Sequence, residues 1–309
     1  MIYTVTLNPA LDRTLYVESL EPGGSNRIRR EERYSGGKGI DVSRALMTMG
    51  TTNTALGFVG GFDGKEFEGR LLLDGVACSF SRIAGETRTN IIIQDETSGI
   101  ETALLAQGPM VQPSELMDFI AKLEALRDME FLVISGSLPP GLTPEVYRRL
   151  LEIGNNKGAR TVLDTAGPAL RHGINAHPSI IKPNRHELEE LAGKELKDTA
   201  AIADFCRTLR DRVEIILVSL GPDGIVMVTP RRTVAARPPV VKVKNTVGAG
   251  DCAVAGFVHG LANKETVVDA LRRSVAAGTA ATMNAGTGLA RPEDVAELLP
   301  KVTLEELEL

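Results

Sequence analysis

The segment Asn245-Thr246-Val247-Gly248-Ala249-Gly250-Asp251 runs straight into the apolar Cys252-Ala253-Val254-Ala255-Gly256-Phe257-Val258-His259-Gly260-Leu261, which reads as a glycine loop opening a helix. Small residues at Gly248, Ala249 and Gly250 let main-chain N–H groups converge on one point. The helix dipole adds positive potential there, so the loop suits an anion. Asp251 sets a carboxylate beside it. A base next to an anion cradle fits phosphoryl transfer, where the protein positions an acceptor hydroxyl and neutralises charge on the transferred group. An ordinary helix start with an acidic first turn fits these residues equally well.

Outward from that segment, the chain alternates apolar strands with amphipathic helices. Strands are expected at 2–7, 54–59, 131–134, 160–164 and 215–219, and helices at 40–49, 65–74, 113–127, 144–157, 185–191, 199–211, 267–281 and 292–299. Continuous apolar strands between helices predict an α/β fold whose mostly parallel sheet is covered on both faces. Val226–Val228 and Val240–Val243 read as edge strands, and Asn284–Gly286 separates the last two helices. Two stretches break the alternation. Thr14–Val17 and Asn26–Tyr34 flank Glu21-Pro-Gly-Gly24, and Thr87–Gln94 and Ile100–Leu105 flank the turn Asp95–Gly99, so both read as hairpins. Together they suit a small β-lid. No linker or repeat divides the chain, which predicts one domain over 1–309 with lid segments at about 13–35 and 87–106.

Candidate ligand positions lie where a parallel sheet gathers its contacts, after strands and at helix starts. Asp12 follows the first strand, although a turn aspartate bonded to nearby main chain accounts for it as well. Gly36-Gly37-Lys38-Gly39 precedes a helix and places a cation beside an anion-friendly terminus, and a solvated lysine in a loop fits equally. Arg88 opens the second hairpin. Arg27 sits among Arg29, Arg30 and Arg33 in a polar stretch that a solvated face explains.

Composition narrows the function classes. The 309 residues are 43% hydrophobic with a net charge of −5, which allows a large core and argues against a nucleic-acid surface or an anionic membrane as partner. A small-molecule partner is expected. Three scattered cysteines suggest neither a disulfide framework nor a thiolate metal site, so a reducing cytoplasm is expected. The glycine loops do not follow the dinucleotide pattern Gly-x-Gly-x-x-Gly or the Walker pattern Gly-x4-Gly-Lys-Ser/Thr. The four histidines, at 172, 177, 186 and 259, are not at metal-ligand spacing. Hydride transfer is therefore disfavoured.

Taken together, Gly36-Gly-Lys-Gly39, Lys182-Pro-Asn184 with Glu187, and Asn245–Asp251 resemble the ribokinase-like carbohydrate kinase family in order and spacing over nearly the whole chain. Thr6–Asp12, Val133–Gly141, Ser219–Gly224 and Ala276–Asn284 resemble its phosphofructokinase subgroup, which also holds fructose-1-phosphate and tagatose-6-phosphate kinases. The resemblance implies an ATP- and Mg²⁺-dependent hexose-phosphate kinase, with fructose 6-phosphate as the leading acceptor and fructose 1-phosphate or tagatose 6-phosphate as alternatives. A homodimer contact through the β-lid is expected. A sugar-phosphate sensor without turnover would share the motifs, and the intact Asp251 loop counts against it.

The same resemblance implies roles residue by residue. Asp251 matches the catalytic base, and Gly248, Ala249 and Gly250 the anion hole. Asp12, Gly37, Lys38, Asp41 and Ser135 match sugar-binding positions, while Arg88 and Arg27 match residues that hold the substrate's phosphate. Lys182 and Asn184 match nucleotide-phosphate contacts and Glu187 a Mg²⁺ contact. Ser219, Gly221, Gly224 and Asn284 match the ATP pocket. One position departs: the family pattern Gly-Gly-Lys-Gly-x-Asn has Asp41 here. An ionised carboxylate accepts hydrogen bonds but cannot donate them. It either meets sugar hydroxyls directly or pairs with Lys38 or an arginine.

Overall fold

The computed structural model describes residues 1–284 and 288–307. Strand β1 (Ile2–Thr6) leads into a hairpin, β2 (Ala10–Val17) and β3 (Ile28–Gly36), and then to α1 (Lys38–Thr48), β4 (Asn53–Val59) and α2 (Gly61–Leu73). Two short strands, β5 (Ala77–Cys78) and β6 (Ser81–Arg82), precede a second hairpin of β7 (Arg88–Asp95) and β8 (Glu101–Leu104). Alternation resumes with α3 (Pro113–Ala125), β9 (Phe131–Ser135), α4 (Glu145–Asn156), β10 (Arg160–Asp164), α5 (Gly167–Ile174), β11 (Ile180–Ile181), α6 (Arg185–Ala192), α7 (Thr199–Arg207) and β12 (Ile215–Ser219). The chain ends with β13 (Ile225–Val228), β14 (Thr233–Arg237), α8 (Ala249–Ala262), α9 (Val267–Thr282), α10 (Pro292–Leu298) and β15 (Thr303–Glu306).

The central sheet runs β15-β14-β13-β12-β11-β10-β9-β1-β4-β5, with β6 also on β4. It is parallel from β12 to β5 and antiparallel across β13, β14 and β15. Alternate residues of a strand point to opposite faces, and here both faces are dry. Leu132 and Ile134 of β9 join Tyr147, Leu150, Phe119 and Ile202 on one side. Phe131 and Val133 join Leu46, Val254, Phe257 and Leu271 on the other. That double burial explains why these strands read as unbroken apolar runs.

The two hairpins form a separate four-stranded sheet, β3-β2-β7-β8, in which β2 and β7 are parallel and Asp12 lies opposite Asn90. Asp12 therefore does not follow β1 directly but is the third residue of β2, lifted out of the central sheet after Asn8-Pro9. Helix α8 is buried nearly all round. A Cβ on Gly256 would lie 2.9 Å from the Cβ of Ala277, so glycine lets α8 and α9 approach closely and fixes where the N-terminus of α8 points. No helix among the described residues is long and apolar enough to cross a membrane.

Several elements differ from expectation. Val226–Val228 is not an edge strand, since β13 lies between β12 and β14, and its second partner is Thr233–Arg237, not Val240–Val243, because Pro238-Pro239 ends β14 by removing two ladder donors. Val240 and Val243 stay exposed. Helix α7 stops at Arg207 rather than 211, passing into turns at Thr208–Arg212. Helix α5, opened by Pro168, and the edge strand β15 are additional. Of the expected break at Asn284–Gly286, residues 285 and 286 lie outside the described residues.

Candidate active site

The glycine loop does open a helix. Gly248 caps α8 at φ 76°, a left-handed conformation that favours glycine, and has no side chain to occupy the first-turn N–H groups. Asp251 sits in that first turn, 8% exposed. Lys182, just past β11, reaches the same point, since a Cβ built on Gly250 would lie 3.4 Å from its Nζ. Lys182 is buried, with Nζ 3.5 Å from Asp164 Oδ1, and Lys38 approaches the same oxygen at 3.4 Å from the start of α1. One carboxylate thus holds two ammonium groups in front of the loop.

The electrostatics of this cluster favour proton uptake by Asp251. Burial first, then the negative charges of Asp41 and Asp164, push its carboxyl well above the usual range, with Lys38 and Lys182 opposing. Burial disfavours the charge on Lys38, but Asp164, Glu187 and Asp251 outweigh it, and the ammonium is held above its ordinary value. Asp164 Oδ2 is buried with no hydrogen-bond partner, a cost that a ligand or ion would relieve.

A second group of polar residues gathers where the small sheet leaves the central one. Asp12 Oδ1 accepts from Asn90 Nδ2 at 2.7 Å, and Asp12 Oδ2 occupies the space a Cβ on Gly36 would fill, 2.0 Å away. Burial raises the Asp12 carboxyl, while Asn90, Arg88 and Arg44 pull it down. Arg88 donates to the main-chain oxygens of Ala106 at 2.7 Å and Asn8 at 2.9 Å, tying both ends of the small sheet together, and its Nε is buried without a partner. Burial makes its charge less favourable and Asp12 offsets part of that. Ser135 Oγ, Asn8 Oδ1 and Thr6 Oγ1 are also buried and unpaired at the ends of β9 and β1. Unsatisfied polar atoms are uncommon in folded interiors, so their concentration here marks a place built for a polar ligand.

Asp41 pairs with an arginine of its own helix. Its Oδ1 lies 3.4 Å from Arg44 Nη1, and Arg44 Nε donates to Asp74 at 2.8 Å. Burial pushes the Asp41 carboxyl up to about 7, with Arg44 lowering it and Asp12 raising it. Near neutral pH a good fraction is therefore protonated, and the side chain can donate as asparagine does.

A cavity of about 660 Å³ opens beside the glycine loop. It is lined by Ser219, Gly221, Gly224 and Asn184, by Ala249 and Gly250, and by apolar groups from the Pro238–Val243 segment and α9. Gly224, at φ 91°, lets the turn after β12 close on β14, since a Cβ there would lie 2.0 Å from Ala236 O. Asn184 and Glu187 form a capping box on α6: Asn184 Oδ1 accepts from the Glu187 N–H at 2.8 Å, and Glu187 Oε2 from the Asn184 N–H at 2.9 Å. Asn284 does not line the cavity. Its amide donates to Ala280 O at 3.2 Å and Leu289 O at 3.0 Å, anchoring the chain after α9. Gly37, at φ 123°, caps α1 beside Thr6. Arg27 is exposed in the loop between β2 and β3.

Sequence reasoning passed over Asp164, Asn90 and Arg44. Asp164 closes an apolar strand at its carboxyl end, which is the one signal that could have flagged it. Asn90 and Arg44 offered none beyond their polarity.

Comparison with known proteins agrees with this arrangement. Residues 5–294 match the pfkB family carbohydrate kinases. The chain is 35% identical to a 1-phosphofructokinase of Bacillus subtilis (strain 168), over 99% of this chain and 100% of that one. It is 35% identical to a D-tagatose-1-phosphate kinase of Bacillus licheniformis, over 93% and 94%. Its fold matches phosphofructokinase-2 from Escherichia coli in complex with fructose-6-phosphate with a TM-score of 0.91 at 29% identity, over 97% and 98% of the two chains. With a buried carboxylate in the first turn of a glycine-capped helix and a cavity of about 660 Å³ beside it, the chain belongs to the pfkB family of carbohydrate kinases, ATP-dependent phosphotransferases.

Proposed function

We propose that this kinase transfers the γ-phosphoryl group of ATP to the 6-hydroxyl of a ketohexose 1-phosphate, with fructose 1-phosphate as the first candidate. The observation that carries the acceptor is the pair of nearly full-length relatives, named 1-phosphofructokinase and D-tagatose-1-phosphate kinase. Sequence motifs alone put fructose 6-phosphate first, and the relatives support the 1-phosphate better. The fold match to a phosphofructokinase-2 in complex with fructose-6-phosphate keeps that acceptor as the second reading.

In this reading the acceptor hydroxyl gives its proton to Asp251, whose raised carboxyl brings its basicity toward that of a base working near neutral pH. The first-turn N–H groups from Gly248 to Gly250 receive the transferred phosphoryl, and Lys38 and Lys182 compensate its charge. Asp12 and Asp41 meet sugar hydroxyls, with Ser135 Oγ as a further polar contact. Arg88 sets the phosphate end of the site and Arg27 approaches from the hairpin loop. Ser219, Gly221, Gly224 and the apolar wall hold the nucleotide. Mg²⁺ fits the unpartnered Asp164 Oδ2, with Glu187 as a second carboxylate, because this ion takes one or two carboxylates and completes its shell with phosphates and water. When bound it neutralises phosphate charge.

The four-stranded sheet serves here as a lid that excludes water from the sugar and limits ATP hydrolysis. Exposed Ile28, Ile100, Leu104 and Leu105 on and beside its edge strands support a homodimer contact through it. A mass that stays monomeric across a broad concentration range would remove the dimer. A cytoplasmic setting accords with three free cysteines.

The test of the reaction is ADP release with a panel of fructose 1-phosphate, tagatose 1-phosphate, fructose 6-phosphate, tagatose 6-phosphate and free fructose. The expected order puts fructose 1-phosphate first by roughly tenfold or more in kcat/KM, the scale of one or two charge-assisted contacts. A higher kcat/KM for fructose 6-phosphate would establish the second reading. Release with none would leave a binding protein.

A further inference from the structure

The central sheet has a second polar cleft at the end away from Asp251. Strand β12 ends at Ser219 in the nucleotide cavity and β13 runs back antiparallel, so the turn Thr229–Arg232 lies at the opposite end of the sheet. There Arg231 and Arg232 meet Arg207, the last residue of α7, and Arg210, in the turn after it, around a cleft of about 490 Å³. Among its lining residues only Pro230 and Leu307 are apolar, and Glu306 is the single carboxylate.

Among the described residues the charge balance leaves this cleft cationic. Arg207 pairs with Asp204 at 2.8 Å and Arg232 stands 3.9 Å from Glu306. Arg210 and Arg231 have no carboxylate within ion-pair distance among the described residues. Four guanidinium groups thus gather around one cleft in a chain whose net charge is −5. The turn is also built to hold them: Thr229 Oγ1 accepts from the N–H groups of Arg231 at 3.3 Å and Arg232 at 3.1 Å, and the Thr229 hydroxyl meets Arg232 O at 3.1 Å. Guanidinium groups present paired donors that match phosphate oxygens, and several set around one cleft fit more than one phosphate. The volume lies within the range of small-ligand sites and exceeds what one inorganic anion needs.

We infer that the cleft around Arg207, Arg210, Arg231 and Arg232 binds a small, multiply phosphorylated metabolite at a site separate from that of Asp251. Inorganic tripolyphosphate is the probe, titrated calorimetrically near physiological salt into the wild type, Arg210→Ser/Arg231→Ser, and Lys38→Ala/Lys182→Ala. The expected result, besides any binding at the Lys38 and Lys182 site, is a site that weakens by roughly tenfold or more in the arginine variant and persists within about twofold in the lysine variant, with affinity falling as salt rises. Both arginines are exposed, so the unliganded melting temperature should not move. Wild type saturated with a non-hydrolysable ATP analogue gives the same separation without any substitution and should still bind the probe. Equal affinity in the arginine variant, loss confined to the lysine variant or to the analogue-saturated protein, or equal binding of sulfate, each overturns the proposal. The experiment reads binding and not turnover, so its failure leaves the kinase reading untouched.

Discussion

Replacing Asp41 with asparagine should stabilise the protein increasingly as pH rises. The wild-type carboxyl is displaced from 3.8 to about 7 in the folded state, chiefly by burial, with Arg44 opposing and Asp12 adding to the shift. The sign follows from proton uptake: between those two values the folded chain holds a proton that the unfolded chain has released. The stability linked to this group is therefore full below the unfolded value and is lost as pH rises through about 7. The limiting slope is ~1.4 kcal/mol per pH unit and halves at about pH 7, so the change from about pH 5.5 to about pH 8.5 is ~2 kcal/mol. For a chain of this size that is roughly 3 °C in Tm. Asparagine does not titrate, keeps the shape and leaves Arg44 bound to Asp74. Thermal unfolding of both proteins at about pH 5.5 and about pH 8.5 should show the gap widening by ~3 °C in favour of the variant at the alkaline end. Removing Asp41 also removes one cause of the raised Asp251 carboxyl, so the acid limb of kcat/KM should move to lower pH. Parallel Tm curves with an unmoved acid limb would refute the reasoning.

Asp251→Asn should lower kcat by ~10²–10⁴-fold while ATP still binds, because the amide keeps the shape and cannot take the hydroxyl proton; retained turnover would remove Asp251 from that role. Arg88→Ala should cost kcat/KM for the sugar phosphate roughly 10–100-fold with little change in the KM for ATP. It should also lower Tm, since the guanidinium bridges Asn8 O and Ala106 O; an equal loss toward free and phosphorylated sugars would leave only the bridging role. Gly224→Ala should cost ~1–3 kcal/mol and raise the KM for ATP, because the new Cβ meets Ala236 O at 2.0 Å at a φ of 91°. Unchanged melting and unchanged nucleotide affinity would count against the cavity as the ATP site.

What the sequence disclosed, and what it hid, follows the range of each signal. The parallel sheet was legible because burial on both faces leaves unbroken apolar runs such as Phe131–Ile134, and the hairpins because Asp95–Gly99 is local turn chemistry. The glycine loop was legible for the same reason: φ 76° at Gly248 and the first-turn Asp251 are neighbours in sequence. Val240–Val243 misled because β-branched residues look alike whether they join a ladder or line a cavity, and only Pro238-Pro239 decides between the two. Glu187 shows a further limit. Its spacing from Asn184 is that of a capping box, and the structure closes the box, so local pattern cannot separate a cap from an ion contact. Asp164 was hidden because its partners Lys38 and Lys182 reach it from other elements, Lys38 from 126 residues away. Asp41 combines both cases. Its position in the motif was plain, but the protonation that restores an asparagine-like donor depends on burial, Arg44 and Asp12 acting together. A one-residue departure from the family pattern can therefore keep the chemistry of the site while making it sensitive to pH, and that sensitivity is what the Asp41→Asn titration measures.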